Sequence, residues 1–233
     1  MKILQLLPWV DWAVLLFFLA AWSGYAWFAR VWGVKRPSIL ATTNRFRLLW
    51  MKQALARDPR MLDGIITQSL SHTPSFFCST SIIIIGGLFA LLGTTDKAAE
   101  LVREIPFAQQ TPMLVFEFKI LILVAIFVYA FFRFSWSMLQ YTFVALIIGA
   151  LPPASAFVRG EHSTEVHAQR AADMTGLAAE TFNDGLRAYY FSFAAMGWFF
   201  SPLAFMLTTL LIVAILYNRE FRSDVLEVLN DGN

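Results

Sequence analysis

The residues of this chain that could do chemistry fall into two groups. The first is the run EHSTEVH, whose Glu161, His162, Glu165 and His167 are of the types that ligate metals. Their spacing is poor for that purpose. Two histidines five residues apart point about 140° apart around a helix, whereas the i, i+4 pair of H-E-x-x-H shares one face. A solvated loop accounts for these residues as well, and no metal ligand set is assigned. With His72, the two histidines are also the candidate bases for a lipid-modifying enzyme. That chemistry needs one of them within hydrogen-bond reach of a carboxylate, beside a lipid-sized cavity. No catalytic motif accompanies them, so neither a catalytic residue nor a cofactor is assigned.

The second group is polar residues set in apolar runs: Asp11, Ser79, Thr80, Ser81, Glu117, Lys119 and Gln140. A carboxylate or ammonium inside a membrane span is costly and defaults to a functional hypothesis. Snorkelling to the interface is the plainer reading of Glu117 and Lys119, which stand in the first turns of their segment. Two residues apart, they do not face each other on a helix. Lys119 is instead expected to meet Asp11, which lies at the same depth. Ser79, Thr80, Ser81 and Gln140 line a path between helices if the protein is a transporter or channel. If it is not, the hydroxyls bond backward within their own helix. Cys78, the only cysteine, excludes an internal disulfide and reads as a buried, inert thiol.

The elements that carry these residues are those of an integral membrane protein. Hydrophobic residues make up 58% of the 233 and the mean hydropathy is +0.60, well above a water-soluble average. The formal charge of +2 gives no nucleic-acid footprint. The expected fold is all-α and polytopic, a single membrane domain of four transmembrane helices with the third extended into the cytoplasm and further interfacial helices. The spans are placed at about 10–28, 75–93, 114–133 and 188–217, and the cytoplasmic helical part at about 30–74 and 134–187. The segment between Pro112 and Pro152 decides this layout. As one helix it rises about 57 Å, against a hydrocarbon core of about 30 Å, and no Gly or Pro lies between Met113 and Ile148 to turn it back. One crossing with a protruding half follows, and that half needs partners.

The cationic block from Arg30 to Arg60 places the first loop in the cytoplasm of a cell inner membrane, with both termini outside. Within it, Asn44 to Leu55 is predicted to lie along the membrane surface. A second helix is predicted to start at Asp58-Pro59 and to be interrupted at Pro74, before a small-residue face from Gly86 to Ala90. An amphipathic connector covers Thr94 to Gln110. Ser163 is predicted to cap a helix reaching about Asn183. The last span is expected to be bent at Gly197 and Pro202.

Several strings taken together resemble a known family. TNRFRLLWM at Thr43 to Met51, SFFCSTSIIIIGGLFALLG at Ser75 to Gly93, FEFK at Phe116 to Lys119, NDGLRAYYF at Asn183 to Phe191 and LYNREFRS at Leu216 to Ser223 are similar to the membrane family catalogued as domain of unknown function 599. The resemblance covers nearly the whole chain and implies a multi-span membrane protein with no assigned activity. The expected function is a non-enzymatic scaffold, assembly or accessory protein. Its expected partners are anionic membrane lipids and either a partner membrane protein or a second copy. Asn44, Arg45, Arg47, Trp50, Asn183 and Arg187 are the candidate lipid- or partner-binding residues. A small-solute or ion transporter and a lipid-modifying enzyme are the alternatives.

Overall fold

A computed structural model describes residues 8–33, 38–94 and 112–230. Among these the chain is helical throughout: α1 (Trp9–Trp32), α2 (Ile39–Leu55), α3 (Met61–Leu92), α4 (Met113–Gly149), α5 (Ala154–Val158), α6 (Thr164–Met196), a 3-10 turn (Gly197–Phe199), α7 (Pro202–Phe221) and α8 (Asp224–Asn230). Four segments are long and apolar enough to cross a membrane: Trp9–Trp32, Met61–Leu92, Met113–Gly149 and Pro202–Asn230. Most of the connector expected between Thr94 and Gln110 lies outside the described residues.

α4 is one unbroken helix of 37 residues. α3 and α6 pack along it, both antiparallel. Phe77 stacks on Phe134 at 5.2 Å and Phe127 meets Tyr189 edge-on at 5.2 Å. The side chain of Ser137 donates to the carbonyl of Ala178 at 2.7 Å. Two cores lie end to end along these three helices. The first joins Leu15, Phe18, Phe134, Phe191, Trp198 and Phe205, bringing in α1 and α7. The second joins Met51 and Leu55 of α2 to Val144, Ile148, Ala168 and Ala171. The bundle thus has an α1/α7 half and an α2 half.

Several expectations are corrected. α3 runs straight through Pro74, which is buried in mid-helix. A proline removes one N–H bond, and neighbouring helices can hold a helix together around that loss. The helix also begins later than expected, at Met61, because the Asp58 carboxylate accepts the Ala154 N–H at 2.7 Å instead of capping its own helix. Gly86 and Gly87 face open space, so among the described residues no helix uses them for close approach. α2 does not lie flat: Met51, Ala54 and Leu55 are buried, and packing on α6 aligns it with the bundle. Asn44 fits against α6 because Gly176 is there, where a Cβ would stand 3.1 Å from Asn44 Oδ1.

The largest correction concerns residues 188–217, which form a hairpin and not one bent span. Ser163 caps α6 as expected, but the helix continues to Met196. Ser201 then takes an extended backbone, accepts the Ala204 N–H at 3.0 Å and places Pro202 at the first turn of α7, the residue types a helix start favours. α7 folds back on α6, where Thr208 Oγ1 donates to Ala194 O at 2.9 Å. The approach depends on Gly197, since a Cβ there would come within 2.5 Å of Thr208 Oγ1. α7 therefore returns to the end where α1 finishes: Phe28 meets Phe221 at 5.7 Å and Glu220 accepts the Leu40 N–H. The start of α1, where Asp11 meets Trp198, and the end of α7, where Glu220 meets Leu40, lie at opposite ends of the bundle.

A tight contact between α4 and α6 is testable. A Cβ on Gly185 would stand 2.5 Å from the ring of Phe134, which is itself fully buried among Phe77, Phe182 and Tyr189. Gly185→Ala is expected to cost about 1–3 kcal/mol by overpacking and to lower the melting temperature in mild detergent. Gly24→Ala, with open space around it, is expected to leave it unchanged.

Candidate functional site

Polar side chains in the bundle gather at three levels. At the end where α1 begins, Trp198 of the 3-10 turn links two charges. Its indole N–H donates to Asp11 Oδ1 at 2.6 Å and its carbonyl accepts from Lys119 Nζ at 2.8 Å. Asp11 and Lys119 are both buried and share this residue without forming the direct ion pair expected of them. The indole supplies the donor the carboxylate needs, and the carbonyl of a 3-10 turn is available to the ammonium because no continuing helix claims it. Glu117 is half-buried on the same helix.

At the opposite end, Arg60 donates to the carbonyls of Ala54, Leu151 and Pro152. It adds a donor to carbonyls at and just beyond the ends of α2 and α4, where the regular helical bonds run out. Asp63, fully buried, accepts from Arg57 Nη1 at 2.7 Å and Trp50 Nε1 at 2.8 Å. Trp50, a candidate binding residue, is half-buried and fastens α2 to α3.

Between these ends, where the two cores meet, lies the main charge cluster. Asp184 of α6 is buried and accepts from three guanidinium groups. Arg187 Nη1 bonds Oδ1 at 2.9 Å, while Arg133 of α4 and Arg30 of α1 both reach Oδ2. Arg30 also holds Glu180 at 2.7 Å. One carboxylate therefore ties α1, α4 and α6 together. A buried carboxylate is tolerable only when paired and hydrogen-bonded. The arginines gain in turn, because the delocalised guanidinium suits a partly dry site better than an ammonium.

Of the expected binding residues, Arg187 is drawn into this cluster, its side chain 4% exposed, and Asn183 is half-buried beside it. Arg47 turns inward and donates to Thr43 and Asn44 at 3.0 and 2.6 Å. Burial pulls its guanidinium below the ordinary range, with Tyr141 opposing that. Arg45 alone of the basic candidates is exposed, with Asn44 beside it, and both border a groove between α2 and α6. Ser81 donates to the Phe77 carbonyl and pairs with Tyr189 Oη at 2.9 Å. Thr80 bonds back to Phe76 at 2.8 Å, and Ser79 is exposed on the helix surface. Gln140, by contrast, is buried beside the second core with its Oε1 unpartnered.

Among the described residues no histidine is hydrogen-bonded to a carboxylate. His72 is exposed on α3. His162 precedes α6 and does not share a helix with His167, so their rings meet at 5.7 Å, both against Phe157. His167 Nδ1 lies 2.9 Å from Ser163 O. Glu161 is paired with Arg159, whose hydrogen bond holds its carboxyl below the usual range. Among the described residues no group of three or more metal-ligating side chains is assembled.

Asp184, Arg30 and Arg133 were not among the expected site residues. One signal was available: Asp184 and Arg187 are spaced i, i+3 in the alanine-rich stretch of α6, the spacing of neighbours on one helix face.

All-helical architecture, four helices apolar enough to span and charge ties between them define an integral, multi-pass membrane protein. The chain belongs to the family described as "Protein of unknown function, DUF599", whose model matches residues 13–225. No curated protein and no solved structure matches it.

Asp184→Asn is expected to cost about 3–5 kcal/mol, because it strands the buried Arg187 and weakens the hold on Arg133. Arg30→Gln is expected to cost less than about 1 kcal/mol, as befits an exposed partner. Melting curves of the two variants in the same detergent check the order; equal losses would contradict it.

Proposed function

We propose that this chain is a non-enzymatic scaffold, assembly or accessory protein of a cell inner membrane, touching anionic lipid and a protein partner. In this reading the bilayer surrounds the α1/α7 half. Its inner boundary lies at the level of Arg30, Arg133 and Arg187, which the positive-inside rule makes cytoplasmic. The segment of α4 from Met113 to Arg133 then spans about 30 Å at 1.5 Å per residue. The α2 half projects into the cytoplasm as a stalk of α2 and the adjoining parts of α3, α4 and α6.

The observation that carries the proposal is the surface of that stalk. Leu62 and Ile65 of α3 and Leu139 and Leu146 of α4 are 53%, 57%, 42% and 64% exposed. In lipid such side chains are ordinary. On a stalk in water, apolar exposure of this extent marks a protein contact. The membrane half supports the same reading, since Lys119, Thr80 and Ser81 are bonded to backbone carbonyls and do not converge on a path. Arg45, with Phe46 and Leu49 exposed on the same helix, combines charge and apolar surface suited to headgroups.

Cross-linking in native membranes tests the proposal. The wild type is expected to give a discrete cross-linked species, either a second copy or another membrane protein. Ile65→Arg and Leu146→Arg are each expected to reduce it by about tenfold, equivalent to about 1.4 kcal/mol, with the melting temperature unchanged. An unlinked wild type, or variants that cross-link as well as it does, would refute the proposal.

A further inference from the structure

The Asp184 cluster is open on one side. α1 packs chiefly on α7, and α4 chiefly on α3 and α6. The two helices stand apart, leaving a cleft of about 570 Å³ between them. Leu19, Trp22 and Trp27 of α1 and Tyr129 of α4 line its apolar part, while Arg30 and Asp184 lie at its polar end. Trp22 and Tyr129 meet edge-on at 5.5 Å.

The charges at the polar end do not balance. The three guanidinium groups of Arg30, Arg133 and Arg187 face the two carboxylates of Asp184 and Glu180, which leaves one positive charge over. Donors are in excess as well. The Nε atoms of Arg133 and Arg187 are buried and have no partner among the described residues. Arg30, whose side chain is 59% exposed, gives Nε to Glu180 and one Nη to Asp184, two of the five donors that a guanidinium carries.

We propose that this cleft is a binding site for an anionic phospholipid of the inner leaflet. Its phosphate bonds to the remaining donors of Arg30, with the charge of Arg133 behind it, and one acyl chain lies along Leu19, Trp22 and Trp27. Guanidinium groups bind phosphate with two parallel hydrogen bonds. A lipid carrying one net negative charge cancels the surplus, whereas a choline headgroup adds a cation beside the arginines. The inference rests on the proposed placement of the Arg30 level at the inner headgroups, and it deepens that reading by naming a site and a lipid class.

Native mass spectrometry of the full chain in mild detergent tests it, with phosphatidylglycerol and phosphatidylcholine of identical acyl chains as probes. The wild type is expected to retain one phosphatidylglycerol at about tenfold preference, and to keep it in about 0.5 M salt, where exposed charges are screened within a few ångströms. Arg30→Gln, with its melting curve confirming the fold, is expected to lose that preference, and Arg170→Gln, an exposed arginine of α6 away from the cleft, to keep it. Displacement of the lipid by inorganic phosphate would overturn the lipid assignment. Loss in Arg45→Gln but not in Arg30→Gln would overturn the cleft while leaving a lipid-contacting protein in place. Equal retention of both lipids by every variant would remove both readings.

Discussion

Asp184 is one carboxylate answering guanidinium groups from α1, α4 and α6, at the level where the two cores of the bundle meet. Taking a carboxylate out of water costs several kcal/mol, and the attraction of its partners repays this only when their geometry is good. The arrangement is therefore conditional: α1 has to bring Arg30, and α4 has to bring Arg133, to the same point on α6. The close packing of Gly185 on Phe134 and of Gly197 on Thr208 and the charged hub all require one placement of these helices along one another. The ties at Trp198 and at Arg60 repeat this at the two ends, each using backbone carbonyls near helix termini, where the regular helical bonds run out.

Much of the architecture was legible in the chain because it rests on local rules. The unbroken apolar run of α4, with no turn residue inside it, specified one helix longer than a bilayer, and the neighbouring segments cover one face of its far half, at Tyr141, Val144 and Ile148. What was not legible depends on contacts between segments distant in sequence. Pro74 marks a break when read locally, yet α3 continues through it. Asn44 to Leu55 shows arginine and lysine around its surface, which suggested an in-plane helix, but Met51, Ala54 and Leu55 are fixed against α6. The fourth span is the instructive case. Gly197, Ser201 and Pro202 were visible, and a bend and a hairpin use the same residues. Only the close approach of Thr208 to Gly197 distinguishes them.

The candidate site was less legible than the fold. Arginines at the ends of apolar runs were read as markers of sidedness and as headgroup contacts. The structure divides them: Arg187 and Arg133 turn to Asp184, Arg47 to Asn44, and Arg30 and Arg45 remain exposed. Nothing local separates these fates, since Arg30 and Arg133 reach a carboxylate on another helix, Arg187 reaches the same one from its own helix, and Arg47 bonds only neutral partners. The hairpin matters here too. By bringing α7 back to the end where α1 finishes, it places Glu220 and the C-terminal α8 beside α2.

In the proposed placement α4 leaves the bilayer near Arg133 and continues as the spine of a stalk. Spin labels placed one at a time along α4 in liposomes measure this directly, through their accessibility to oxygen and to a water-soluble nickel chelate. Leu121 and Phe132, both outward-facing, are expected to be rich in oxygen contact and shielded from nickel. Thr142 and Ala145, also exposed, are expected to show the reverse. Labels at Thr142 and Ala145 that behave like the one at Leu121 would place the whole helix in lipid and contradict the stalk.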